Sequence, residues 1–157
     1  LISACDVLSG RIVKKINLGK VNKNYFITSA LIQSNDVMIE CDGKYHVSPQ
    51  DEEAQIEIYN LQQRYSKPVK TVQIKKQGAD SETLKTVIEC DAPQFSLFGK
   101  SFGKSKRQSV FFNKHLEIRN KESVPIVVDG QSVQKTPVSI DIVPQKLKVI
   151  VGKDRLF

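Results

Sequence analysis

The sequence has no tryptophan, a single methionine, two histidines and three cysteines. It also has no apolar run long enough to cross a bilayer as a helix, so we expect a soluble body. His46 and His115 are the only histidines, and neither C-x-x-C nor H-x-x-x-H spacing occurs. Cys41 and Asp42 lie near His46 in the chain, but no recognisable metal-ligand pattern results, and no metal or other cofactor is expected. Serines, histidines and acids are scattered, with no nucleophile elbow around any serine. Glu40, Asp42, Glu89 and Asp91 could pair as acids across a sheet, yet strand carboxylates of this kind are mostly solvated. No catalytic residue is assigned, and a non-enzyme is expected.

One phosphate-binding pattern is suggested and then fails. Phe-Gly-Lys-Ser occurs twice, at Phe98 to Ser101 and Phe102 to Ser105. A phosphate loop needs four residues between its first glycine and the Gly-Lys-Ser triplet, and Gly99 to Gly103 leaves three. It also needs a strand before it and a helix after it within an α/β pattern, which this chain lacks.

What is present points to β structure. The 157 residues suit one domain, or one domain with a small appended module, and 39% hydrophobic content excludes a disordered chain. β-like runs are read at Arg11 to Val13, Ile16 to Leu18, Tyr25 to Ile32, Val37 to Ile39, Tyr45 to Val47, Val69 to Ile74, Leu84 to Cys90 and Val110 to Phe112. Turn residues separate them, among them Asn22-Lys23-Asn24 and Asp42-Gly43. One helix is predicted over about Pro49 to Tyr65. Ser48 would cap it, Pro49 would begin it, and Ala54, Ile58, Leu61 and Tyr65 would form its apolar stripe. Pro68 would prevent its continuation.

The net charge is +7, and most of the excess lies after Asp91. Between Asp91 and Ser109, Phe98 and Phe102 alternate with Lys100, Lys104, Lys106 and Arg107. Such a stretch could stack on single-stranded nucleic acid, or lie on an anionic membrane with its rings dipped in. It could equally be an exposed loop between two β segments. We assign Phe98, Lys100, Phe102, Lys104, Lys106 and Arg107 as the candidate partner-binding or anionic-surface residues.

Beyond this stretch, Ile126, Val127 and Val128 run into Asp129-Gly130, a strong hairpin signal. Val138, Ile140 and Ile142 alternate with Ser139 and Asp141, Pro144-Gln145-Lys146 is read as a turn, and Leu147, Val149 and Val151 alternate again. Val128-Asp129-Gly130, Thr136-Pro137 and Pro144 together resemble the PEGA repeat, a small β module of bacterial envelope proteins. Gln134 and Gln145 stand where that pattern has glycine. The resemblance implies a non-catalytic, extracytoplasmic module.

At the other end, Leu1-Ile2-Ser3-Ala4-Cys5 resembles a bacterial lipobox, which implies lipidation at Cys5. Asp6 then resembles the signal that retains lipoproteins in the inner membrane. With Cys5 lipidated, Cys41 and Cys90 remain as a pair, each closing a similar phrase, Ile-Glu-Cys-Asp. A disulfide between them would stabilise by roughly 3–4 kcal/mol; the alternative is two buried, unlinked thiols.

The sequence is thus read as a mainly β protein of antiparallel, sandwich-like sheets with one packed helix. Its parts are an anchor remnant (1–5), a β-rich domain (6–112) and a PEGA-like module (113–157). The expected function is a non-catalytic, periplasm-facing envelope lipoprotein, held in the membrane by its lipid and bound to other envelope proteins in a larger assembly. Homo-oligomerisation stays open. Two alternatives remain: a basic nucleic-acid-binding or virion-associated β protein, and an envelope hydrolase with a dispersed site. Nucleic acid is disfavoured as a partner because it is not a usual periplasmic ligand.

Overall fold

A computed structural model describes residues 2–49, 54–61, 81–91, 96–97, 100–101 and 106–152. A helix α1 (Ile2–Gly10) precedes β1 (Val13–Val21), β2 (Asn24–Phe26), β3 (Ser29–Ser34), β4 (Met38–Cys41), β5 (Tyr45–Val47) and β6 (Ala54–Tyr59). Then follow β7 (Leu84–Asp91), β8 (Ser96–Leu97), β9 (Lys100–Ser101), β10 (Lys106–Asn113), β11 (His115–Arg119), β12 (Pro125–Val128), β13 (Gln131–Lys135) and β14 (Val138–Ile150). The first sheet has the order β2-β1-β14-β11-β4-β5, the second β10-β7-β6-β3-β12-β13, and β8 pairs with β9 alone.

Period-two alternation builds both sheets. In β11, Leu116 and Ile118 are fully buried while His115, Glu117 and Arg119 point outward. In β6, Ala54, Ile56 and Ile58 are fully buried while Gln55, Glu57 and Tyr59 alternate with them. The buried rows of the two sheets meet in one core that includes Phe26, Ile32, Ile39, Ile58, Leu116, Ile126 and Ile140. Burying one such side chain contributes about 1.5–3 kcal/mol, so the inter-sheet core dominates stability. Mainly β, antiparallel and sandwich-like, the fold class agrees with the sequence reading.

The helix expected over about Pro49 to Tyr65 is not formed at residues 54–61, where its span is described; residues 50–53 and 62–65 lie outside the described residues. Residues 54–59 form a strand because three β-branched or small residues recur every second position, which outweighs the weaker helical spacing. Ser48, read as an N-cap, instead donates its hydroxyl to the carbonyl of Val37 at 2.9 Å. The observed helix, α1, ends where Arg11 takes a left-handed φ of 48° and its amide bonds back to Leu8.

The PEGA-like stretch is not a module of its own. β12 and β13 belong to the second sheet, whereas β11 and β14 belong to the first, and all four pack into the shared core or its sheets. The Asp129-Gly130 hairpin is present, with φ of 47° and 83°. The Pro144 turn is absent: β14 runs through it as one strand. Ile16 faces Leu147 and Leu18 faces Val143, so residues 144–146 bulge opposite Asn17. Proline suits a bulge because no ladder bond needs its missing N–H.

Gly19 shows why one position of β1 carries no side chain. Its cross-strand partner is Phe26, and a Cβ there would lie 2.0 Å from the phenylalanine ring. The ring, fully buried, fills the place of the missing side chain.

Candidate functional site on the outer face of the first sheet

The register of the first sheet sets polar side chains in rows across its outer face. Lys20 of β1 faces Asp141 of β14, which faces His115 of β11. In the next row Ser139 faces Glu117, Glu117 faces Glu40, and Glu40 faces His46. Both histidines of the chain therefore stand on this face, beside three carboxylates.

His115 Nδ1 lies 2.6 Å from Asp141 Oδ1, and Nε2 lies 3.8 Å from Glu117 Oε1. The hydrogen bond to Asp141 holds the imidazole pKa above its ordinary value, against a smaller opposing effect of burial. Arg119 Nη2 donates to Glu117 Oε2 at 2.5 Å, which keeps that carboxyl below the usual range. Glu117 and Glu40 are like charges facing one another, a destabilising pairing that Arg119 and His115 offset.

The Ser139 hydroxyl donates to Asp141 Oδ2 at 3.1 Å. Serine and histidine thus hold opposite oxygens of one carboxylate, with the acid in the middle. A nucleophile triad needs the histidine in the middle, in contact with the hydroxyl. This constellation cannot activate Ser139, and the hydrolase alternative gains nothing from it. What it can do is hold a proton on His115 and present a fixed pattern of alternating charge.

Three aspartates lock the crossings between sheets. Asp42 accepts from the amides of Lys114 and His115, both at 2.9 Å, where the chain passes from β10 to β11. Asp36 accepts from the Lys121 amide at 2.9 Å and from Asn120 Nδ2 at 3.1 Å, between β11 and β12. Asp129 accepts from the amides of Ile27, Thr28 and Ser29 at 2.7, 2.9 and 3.1 Å, between β2 and β3. Burial raises the Asp42 and Asp129 carboxyls, but these amides outweigh it and hold both below the usual carboxylate range.

On the outer side of the second sheet, Lys85 faces Tyr59 across β6 and β7, yet is only 3% exposed. Burial lowers its pKa, and its ammonium sits 5.8 Å from the Tyr59 ring. The Tyr59 hydroxyl donates to Glu57, and burial followed by that bond pushes the phenol upward.

The residues assigned from sequence are dispersed. Cys5 is exposed within α1. Cys41 lies in the first sheet and Cys90 in the second, not at neighbouring strand ends; no disulfide joins them, and burial pushes the Cys41 thiol up. Lys100 falls in β9, Lys106 begins β10, and Arg107 is exposed on that strand. Phe98, Phe102 and Lys104 lie outside the described residues. Glu40 and Glu89 belong to different sheets and do not pair. Among the described residues no group of three or more acids, histidines and cysteines is arranged to hold a metal ion. Sequence reasoning missed Asp141, Glu117 and Arg119, although the alternation that buries Val138 and Ile140 already put Ser139 and Asp141 on one face.

No protein-family model matches this sequence, and no curated protein does. Solved structures do. A diacylglycerol kinase of Bacillus anthracis str. Sterne superposes with a TM-score of 0.66 and 18% identity, over 96% of this chain and 58% of that one. Two further structures from the same organism, described provisionally as diacylglycerol kinases, give TM-scores of 0.66 and 0.64 at 16% and 17% identity. They are covered over 60% and 61% of their length.

These likenesses correct the envelope reading. One fold accounts for 96% of the chain, Ile2 to Cys5 of the lipobox-like segment are helical in α1, and the strands of the PEGA-like segment are built into both sheets. Neither the lipoprotein assignment nor the structural role drawn from it stands. The expectation of a non-enzyme is overturned as well, since the proteins that share the fold are described as kinases. The chain has the β-sandwich fold found in diacylglycerol kinases and spans about three fifths of their length.

Proposed function

We propose that this chain is the β-sandwich part of a lipid kinase-like protein, one that transfers a phosphoryl group to the hydroxyl of a diacylglycerol-type lipid. The observation that carries the reading is the extent of the fold likeness: 95–96% of the chain superposes on three kinase structures. Phosphoryl transfer depends on positioning and on stabilising charge, not on covalent chemistry by the protein. A rigid sandwich with clamped crossings suits the positioning task. The alternating charges around His115, Glu117 and Asp141 are fixed by hydrogen bonds, so they supply a preorganised polar wall. The gripping of nucleotide phosphates is not assigned to these residues, because the Gly-Lys-Ser repeats lack phosphate-loop spacing.

The test is an assay of the whole protein with ATP, magnesium and diacylglycerol in mixed micelles. Formation of a phosphorylated lipid is expected. A folded protein that phosphorylates neither diacylglycerol nor any other lipid alcohol would overturn the proposal.

A further inference from the structure

The ends of β1 and β14 continue past the rest of the first sheet. β2 pairs with β1 only over Gly19 to Val21, and β11 pairs with β14 only over Val138 to Asp141. Among the described residues, Val13 to Ile16 and Leu147 to Ile150 therefore pair only with each other, as a two-stranded ribbon.

One face of this ribbon is turned inward and ends on Ile16, which is 2% exposed. The other face has an unusual composition. Val13 and Ile150 are direct partners, 56% and 49% exposed. Two residues along, Lys15 and Lys148 are direct partners, both exposed. Like charges set opposite one another destabilise a strand pair. Neither lysine makes an ion pair among the described residues. An exposed apolar pair beside an uncompensated cation pair is a poor surface for water alone, and both defects are relieved by the same kind of partner. A phosphate between the lysines cancels their repulsion, and an acyl layer beside it removes Val13 and Ile150 from water.

We propose that this ribbon face docks on an anionic phospholipid surface, with Lys15 and Lys148 sharing headgroup phosphates and Val13 and Ile150 inserted beside them. The inference rests on the lipid-kinase reading, which requires the protein to reach a lipid substrate, and it names the surface that does so. Attraction of about 1 kcal/mol per lysine makes the pair worth about 30-fold in affinity. Binding is expected to be reversible and to weaken with salt.

The experiment is co-sedimentation of the whole protein with vesicles of equal parts phosphatidylcholine and phosphatidylserine, and with vesicles of phosphatidylcholine alone. It is run without ATP or diacylglycerol, so it reads docking independently of kinase activity. Binding only to the anionic vesicles is expected, weakened about 30-fold in the double variant Lys15→Gln/Lys148→Gln. Val13→Ser/Ile150→Ser is expected to weaken it further while leaving the salt dependence in place. Thermal unfolding checks that each variant stays folded; where one does not, Lys15→Arg/Lys148→Arg is expected to retain binding and takes its place as the charge control. Equal binding by wild type and the glutamine variant would overturn the proposal. So would burial of this ribbon against another part of the polypeptide, seen as protection of Lys15 and Lys148 from acylation without vesicles. Protection by inorganic phosphate with no vesicle binding would assign the lysines to a soluble anion and also contradict it.

Discussion

Asp129 and Thr28 are separated by 101 residues and joined at one carboxylate: Oδ1 accepts the Thr28 amide at 2.9 Å and also its hydroxyl. Ile27 and Ser29 donate to the same side chain, so a single hairpin residue satisfies the turn that carries the chain from one sheet to the other. Asp129→Ala leaves those amides without an acceptor and is expected to lower the unfolding free energy by about 2 kcal/mol. Because the folded carboxyl is held below its ordinary value of about 3.9, the contribution is complete above that value. It is lost as pH falls through the lowered folded value. Denaturant titrations across acid pH should show a shallower acid loss in the variant; equal slopes would contradict the clamp.

The His115–Asp141 pair has the opposite sign. The histidine is held above its ordinary value of about 6.5, so its contribution is complete below that pH and fades as pH rises through the folded value. In Asp141→Asn the imidazole is expected to titrate lower, as followed by ring-proton NMR. A titration unchanged from wild type would show that the 2.6 Å contact is not made in solution.

Gly19 predicts a steric effect with a rescue. Gly19→Ala drives a methyl into the Phe26 ring and should cost about 2 kcal/mol or more in thermal or denaturant unfolding. Gly19→Ala/Phe26→Leu should recover part of that loss. Two losses that simply add would mean the residues do not share one space.

The strand at 54–59 is tested by alternation. Ile56→Ala is expected to cost about 2–4 kcal/mol, whereas Gln55→Ala should fall within about 0.5 kcal/mol. A helix over the same residues would place Ala54, Ile58 and Leu61 inside and leave Ile56 tolerant.

Much of the fold was legible in the sequence, and the reason is periodicity. Val138 and Ile140 alternate with Ser139 and Asp141 and announce their strand directly, whereas the strand formed by Leu116 and Ile118 is too short a run to be read before its partners are known. Asp42-Gly43 and Asp129-Gly130 announced their hairpins because positive φ at both positions favours these residues. The segment from Pro49 was misread because Ala54, Ile58 and Leu61 satisfy a helical period while Ala54, Ile56 and Ile58 satisfy a strand period. Local sequence does not choose between them; the partner strands β3 and β7 do. Pro144 was read as a turn because a bulge opposite Asn17 is a property of the pair, invisible in either strand alone. The outer charged face was half legible: the alternation placed Asp141 outward, but only the register brings His115 beside it. The allocation of strands to two sheets was hidden altogether, and with it the fact that residues 113–152 are part of one sandwich.

The measurement that bears most directly on the lipid-kinase reading is transfer of labelled γ-phosphate from ATP by the whole protein. It should be offered diacylglycerol in one reaction and, in a second, triacylglycerol, which has no free hydroxyl. The account predicts a labelled acidic lipid from diacylglycerol alone. Absence of label in both reactions with folded protein, or ATP hydrolysis at the same rate with either lipid and no lipid product, would contradict it.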